Sequence, residues 1–539
     1  MQRRVFRTFL RFPNKFLGIM LLACSWSFPC VVQGQALETT SQEKMSARVD
    51  ELLEERLKEI GWKPADPSVD AAFLRRVQLD LTGSPPTGSE VLAFERDESE
   101  SKDEKLVDRL LGTAGCANHF AGQWSRWMLP EDNNANPLLR RNGGLRAWLR
   151  ERFAENLRYD RLVSDLLVAT GPAQAGPAEF FVALEVKPEK IAAKTARVFM
   201  GVQLDCAECH DHPFDEWSQR DFWGFAAYFA QLGNEGEQSF MRLGEIRDTD
   251  EGDVTLPGTE EIVAPNPLVK TGFSGLARGT RRQQLTLWLT ARENPFLARA
   301  TVNRVWAMLF GRGLIEPIDD MRTVDIASHP KILQELSDYF AATGYDLRNL
   351  VATLAKTKAY RRATTHHSGQ APDDSYAVMN TKPLTEQQIS DSIAKVARQI
   401  VGDDNAAAQN LLARQLGQLR GDASEAKLGI VSALVTLHGD LFDRVSREES
   451  SRLLKALDAP FLDERKQLKW LFLSTLNRQP TQEEEAAFSE LFAQQEVEAS
   501  DVAETSDDSQ TKNGAANKVS WQSDLLWALI NSTEFAMTP

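Results

Sequence analysis

Cysteine is scarce in this chain. Five cysteines among 539 residues exclude a fold stapled by disulfides, and a chain of this length has no need of one, since it can bury two or three ordinary cores. Long apolar runs are missing beyond the first 34 residues, so no membrane span is expected in the remainder. Positive charge is in deficit: 62 Lys and Arg stand against 77 Asp and Glu, a formal charge of −15. No basic patch interleaved with aromatics offsets it, so the chain repels nucleic acid and anionic lipid, and no nucleic-acid partner is expected. Common catalytic signatures are absent too. There is no G-x-x-x-x-G-K-[ST], no H-E-x-x-H and no G-x-S-x-G, so the sequence leaves open whether this is an enzyme.

The first 34 residues differ from the rest. Arg3, Arg4, Arg7, Arg11 and Lys15 precede a largely apolar run from Phe16 to Val32, and Gly34 or Ala36 offers a small residue for cleavage. This pattern predicts a signal peptide over 1–34 and an exported protein, periplasmic or extracellular. A lipoprotein-type site at Cys24 is the minor alternative, which Leu22 fits poorly. Losing the leader removes five positive charges and no negative one, taking the charge from −15 to −20. The mature chain then keeps Cys116, Cys206 and Cys209. Three thiols cannot all pair within one chain; if Cys206 and Cys209 carry a thioether-linked cofactor, Cys116 is left as a lone buried thiol.

Helical periodicity dominates the mature chain. In SARVDELLEERLKEIG, Val49, Leu52, Leu53, Leu57 and Ile60 share one stripe and Gly61 stops it; similar runs recur through 71–81, 105–111, 145–153 and 159–168. From 234 to 280 the pattern gives way to Gly, Asp, Glu and short alternating pieces such as DVTLPG and EIVAPNPLV. Helical patterns resume from Arg281. The expected fold is therefore mainly α, two helical domains over 42–233 and 281–539 joined by an irregular, partly β connection. Residues 496–520, polar and nearly without large apolar side chains, are expected to be disordered.

Chemistry concentrates in DCAECHDHPFDEW, residues 205–217, which holds Cys206, Cys209, His210 and His212. Cys206, Cys209 and His210 form C-x-x-C-H, the spacing that attaches a c-type haem through two thioethers with the histidine as axial ligand. At this composition the pattern arises by chance in roughly one such sequence in two thousand, so coincidence is a poor explanation. Upstream, Ile191, Thr195, Val198 or Phe199, Val202 and Cys206 recur at steps of three and four. The spacing predicts one buried helix carrying the ligands at its C-terminal end, closed by Pro213. Downstream, FDEWSQRDFWGFAAYF places seven aromatics in residues 214–229, a set that serves as helical core more often than as a porphyrin pocket.

The same ligands allow a zinc or iron site built from Cys206, Cys209, His210 and His212, as in a metal-binding protein or a metal-dependent hydrolase. Structural zinc usually joins ligand pairs from separated segments, however, and four ligands within seven residues staple almost nothing. His212 is better read as an orienting or capping residue. A disulfide between Cys206 and Cys209, or a pair of core thiols in a non-catalytic scaffold, is the third reading. A haem would need an open position or a ligand opposite His210, for which His119, His329, His438 and several Met are candidates; a filled position means electron transfer, through a periplasmic redox partner, and an open one small-ligand binding or peroxide chemistry.

GVQLDCAECHDHPFDEWSQRDFWGFAAYFAQLG resembles the signature of the secreted planctomycete-type domain of unknown function 1549. NPFLARATVNRVWAMLFGRGLIEPIDDMR, followed by SHPKILQELSDYF, is similar to its usual partner, the domain of unknown function 1553. The likeness spans about residues 45 to 535. It implies an exported, mostly helical protein and no settled activity; some relatives carry an additional cytochrome c-like domain that this chain lacks. In the second signature, Arg299, Arg304 and Arg312 offer an anionic saccharide a binding surface. Ion pairs with Glu316, Asp319 and Asp320 are the more ordinary expectation for them, and an N-cap region is the one for His329.

Overall fold

The computed structural model describes residues 30–130, 144–172, 176–211, 217–235, 244–269, 279–321, 324–398, 452–490 and 521–539, with side chains from 42 onward. His212, His438 and the 496–520 stretch lie outside the described residues, as does 1–29 of the leader. Helices carry most of the fold and strands run only two to four residues, so the fold is mainly α.

Helix boundaries follow local chemistry. Thr87, Ser218 and Thr280 each form a capping box, with Glu90, Asp221 and Gln283 respectively, satisfying two otherwise orphaned N–H groups at each start. Proline opens the Pro188–Thr195, Pro295–Phe310 and Pro330–Ala342 helices, where a missing N–H costs nothing. Gly83 and Gly311 close the Asp70–Thr82 and Pro295–Phe310 helices in the left-handed conformation.

One buried apolar cluster runs from Val49 to Leu473 and draws on both helical regions, with Trp124, Phe180, Phe225, Trp306 and Phe340 among its members. A smaller cluster gathers Ile393, Leu454, Leu471, Leu526 and Phe535 near the C-terminus. At roughly 1.5–3 kcal/mol for each large apolar side chain, burial on this scale sets the fold. The aromatic run joins the main cluster through Phe222, Phe225, Tyr228 and Phe229, all buried; the core reading holds for these four.

The connection holds the short strands its sequence suggests. Glu245–Asp248 pairs antiparallel with Leu232–Glu235 on one edge and Gly171–Pro172 on the other, and Val254–Thr255 pairs with Ile262–Val263. Arg282 clamps this sheet to the helices. Its Nε meets Asp248 at 2.6 Å while Nη1 donates to the carbonyls of Leu167 and Ala169.

A buried polar latch ties the Asp70–Thr82 helix to the second half of the chain. Lys382 Nζ reaches Asp80 at 2.6 Å and donates to the carbonyls of Met308 and Leu309 at 2.8 Å. Tyr360 donates its hydroxyl to the other Asp80 oxygen at 2.7 Å. Arg76, 1 % exposed, donates to the carbonyls of Tyr360, Arg362 and Pro539. Burial pulls the Lys382 pKa below its usual value and Asp80 pulls it back, the balance expected of a paired buried charge.

Candidate thiol and imidazole site

The Pro188–Thr195 helix widens into a π turn over Ala196–Met200 and stops at Gly201, left-handed at φ 67°. That corrects the expected continuous helix into Cys206. The buried stripe of Ile191, Thr195, Val198 and Phe199 ends a turn early, because Gly201 adopts a conformation that side chains resist. Met321 packs against the space a side chain at Gly201 would fill, and its N–H donates to the Gly201 carbonyl at 2.7 Å.

Beyond Gly201 the chain runs without helix to a single 3-10 turn, Asp205–Glu208. Leu204 and Ala207 point inward and are buried, while Cys206, Cys209 and His210 are exposed. Both cysteines are free thiols. The disulfide is therefore not formed, and the core-thiol reading is corrected for these two residues: the 3-10 turn spends Ala207, not a thiol, on the core. Cys116 does behave as expected; it is buried, and burial pushes its thiol up to about 12.

The turn is fixed through its main chain. The Glu208 carbonyl accepts from Trp223 Nε1 and Gln219 Nε2, both at 3.1 Å. The Gln219 N–H donates to Asp211 Oδ1 at 2.9 Å. His210 Nδ1 lies 2.7 Å from the Asp211 carbonyl. A carbonyl can only accept, so Nδ1 carries a proton, which leaves Nε2 as the ring nitrogen for a ligand. Orientation of a ligating imidazole by a carbonyl on its other nitrogen is the usual arrangement at metal and haem sites.

The opposite side of the loop rests on the second helical region. Arg197 pairs with Asp205 at 2.8 Å and reaches Asp319 at 3.4 Å, while Gln203 Nε2 donates to Asp319 at 2.9 Å. Arg304 donates to the Arg197 carbonyl at 2.6 Å and stacks on Trp127. Arg304 thus supports the loop and binds main chain, where an ion pair was expected; Asp319 is taken by Arg197 instead. Arg299 donates to Gln334. His329 does precede the Pro330–Ala342 helix, yet its side chain makes no cap; Nδ1 lies 3.1 Å from Ser328 Oγ, and burial pushes its pKa down to about 4.

The other described histidine candidate for an axial position, His119, packs over Gly83 and is pushed down to about 3 by burial. Among the described residues no group of three or more His, Cys, Asp or Glu is placed to hold a metal ion. The donor set does fit a covalently attached haem: two unpaired, accessible thiols at the attachment spacing, followed by an imidazole with Nε2 available. Trp223 and Gln219, which anchor the turn, escaped notice in the sequence because an aromatic run and a polar glutamine carry no signal for a main-chain contact.

Two family models match the chain: one described as protein of unknown function (DUF1549), over residues 48–234, and one as protein of unknown function (DUF1553), over residues 281–415. No curated protein and no solved structure matches it.

Proposed function

Since the chain belongs to the proteins that join a DUF1549 region to a DUF1553 region in that order, and neither description names an activity, we propose a function from the turn itself: an exported protein carrying one c-type haem, attached to Cys206 and Cys209 and ligated by His210, in electron transfer or redox chemistry. The observation that carries this reading is the exposure of two unpaired thiols and an imidazole on one anchored turn. Thioether formation consumes both thiols, and here both are free and exposed.

When bound, the haem supplies one-electron chemistry. The chain's own part is positional. Gly201 releases the backbone from the helix, Trp223 and Gln219 fix the Glu208 carbonyl, and the Asp211 carbonyl holds His210 through Nδ1. His119 and His329 are packed against Gly83 and Tyr376, so neither is drawn on for the far side of the iron in this reading. Export rests on the charged and apolar segments of residues 1–34; in addition, no helix among the described residues is long and apolar enough to cross a membrane.

The test is purification of the full chain from a host with cytochrome c maturation, followed by a pyridine haemochrome spectrum of the denatured protein. A c-type spectrum in the wild type, lost in Cys206→Ser and Cys209→Ser, is expected. A wild-type sample without covalent haem overturns the proposal. Zinc or iron that is bound to such a sample and lost in Cys206→Ser would favour the metal-binding reading in its place.

A further inference from the structure

A groove of about 200 Å³ lies between the start of the Pro295–Phe310 helix and the Pro330–Ala342 helix. It shares no residue with the thiol turn. Two buried polar atoms on its wall have no partner: Arg299 Nε and the Tyr345 hydroxyl. A buried polar atom left unpaired is unfavourable, and a ligand that supplies the partner accounts for its retention.

The placement of these groups is built in. Tyr345 is 4 % exposed and holds a left-handed φ of 57°, fixed by its N–H on the Phe340 carbonyl at 2.8 Å and by its own carbonyl, which accepts from Tyr159 at 2.9 Å. Arg299 is steadied through Nη2 on Gln334 Oε1 at 2.9 Å, and Gln334 in turn donates to both Asp338 oxygens at 3.0 Å. Arg292 and Glu293 are exposed at the rim. Tyr345 lines the same groove beside them.

We propose that this groove binds a single carboxylated sugar, a hexuronate, with Arg292 and Arg299 on its carboxylate and Glu293, Asp338 and Tyr345 on its hydroxyls. Guanidinium groups match a carboxylate in geometry and charge. Carboxylate side chains accept protons from sugar hydroxyls, and the tyrosine hydroxyl can serve either way. The mixture selects against the neighbouring classes. A bare anion would face Glu293 and Asp338 with like charge, and a neutral sugar would leave both guanidiniums unmatched. The volume falls below the roughly 300–1,000 Å³ of sites for larger ligands, which fits one sugar ring and excludes a buried chain of them.

The full chain titrated by isothermal calorimetry with glucuronate, glucose and inorganic sulfate tests this directly. Saturable glucuronate binding is expected, with glucose and sulfate at least about tenfold weaker. Arg299→Gln and Arg292→Gln should each weaken glucuronate binding about tenfold, and Tyr345→Phe a few-fold. Arg292 is at the rim, so its variant gives a reading even if the buried substitutions impair folding. No glucuronate binding by the wild type, equal binding of glucose or sulfate, or full binding by Arg292→Gln would each overturn the proposal.

Discussion

At Asp80 the protein takes a carboxylate, an ammonium group and a phenol out of water and satisfies them with one another and with main-chain carbonyls. At Cys206 it does the reverse, leaving two thiols and an imidazole in solvent and spending its hydrogen bonds on the backbone that presents them. Both places are rigidly held, but only the second offers its reactive groups to anything outside. Burial with pairing marks structure at Asp80, and fixation of main chain beneath exposed side chains marks the candidate site at Cys206.

Removing one partner of the latch should break the comparison on its structural side. Asp80→Asn leaves the Lys382 ammonium buried without its counter-charge and is expected to cost about 3–5 kcal/mol, read as a lower urea midpoint. Cys206→Ser should move that midpoint hardly at all, since an exposed substitution usually stays within about 0.5 kcal/mol.

A second effect comes from His329. Its folded pKa, about 4, lies below the ordinary 6.5, so the unfolded chain takes up the proton first. Stability is fully present above pH 6.5 and declines as pH falls towards 4, by at most about 3 kcal/mol from this group. Burial is the main cause; Arg56 adds to it while Asp374 and Glu59 oppose it. Melting temperatures of His329→Gln should show a shallower loss than the wild type across that pH window.

Gly201→Ala tests stability and the turn in one substitution. It forces a side chain into the left-handed conformation and within about 3.0 Å of Met321 Cγ, for an expected loss of about 1–3 kcal/mol. The loop carrying Cys206 should shift with it, so haem incorporation should fall along with the melting temperature.

The smallest effect belongs to Trp223→Phe. It deletes the donor to the Glu208 carbonyl for about 1 kcal/mol. Alkylation of Cys209 under native conditions should quicken as the turn loosens, which labelling followed by peptide mapping would show.

Much of the fold was legible from local signals. Helical periodicity and the buried Cys116 both depend on neighbours in sequence, and the structure agrees with them. Where reading failed, the determinant was either a single backbone choice or a distant partner. The stripe through Ile191 and Val198 pointed into Cys206, yet Gly201 interrupts it, and one glycine outweighs a periodic pattern when a left-handed stop satisfies the helix carbonyls. Asp80 and Lys382 are 302 residues apart, and no spacing rule connects them. Arg299, Arg304 and Arg312 looked alike in sequence; the structure sets Arg299 in a groove and Arg304 on a carbonyl.

The central claim is that the Cys206 turn, and no other thiol of the mature chain, receives a covalent group. Intact mass and peptide mapping of the protein from a haem-maturing host test it most directly. One added haem is predicted on the peptide that contains both Cys206 and Cys209, with Cys116 unmodified. A peptide carrying free thiols or a Cys206 to Cys209 disulfide, with no added mass, would contradict it.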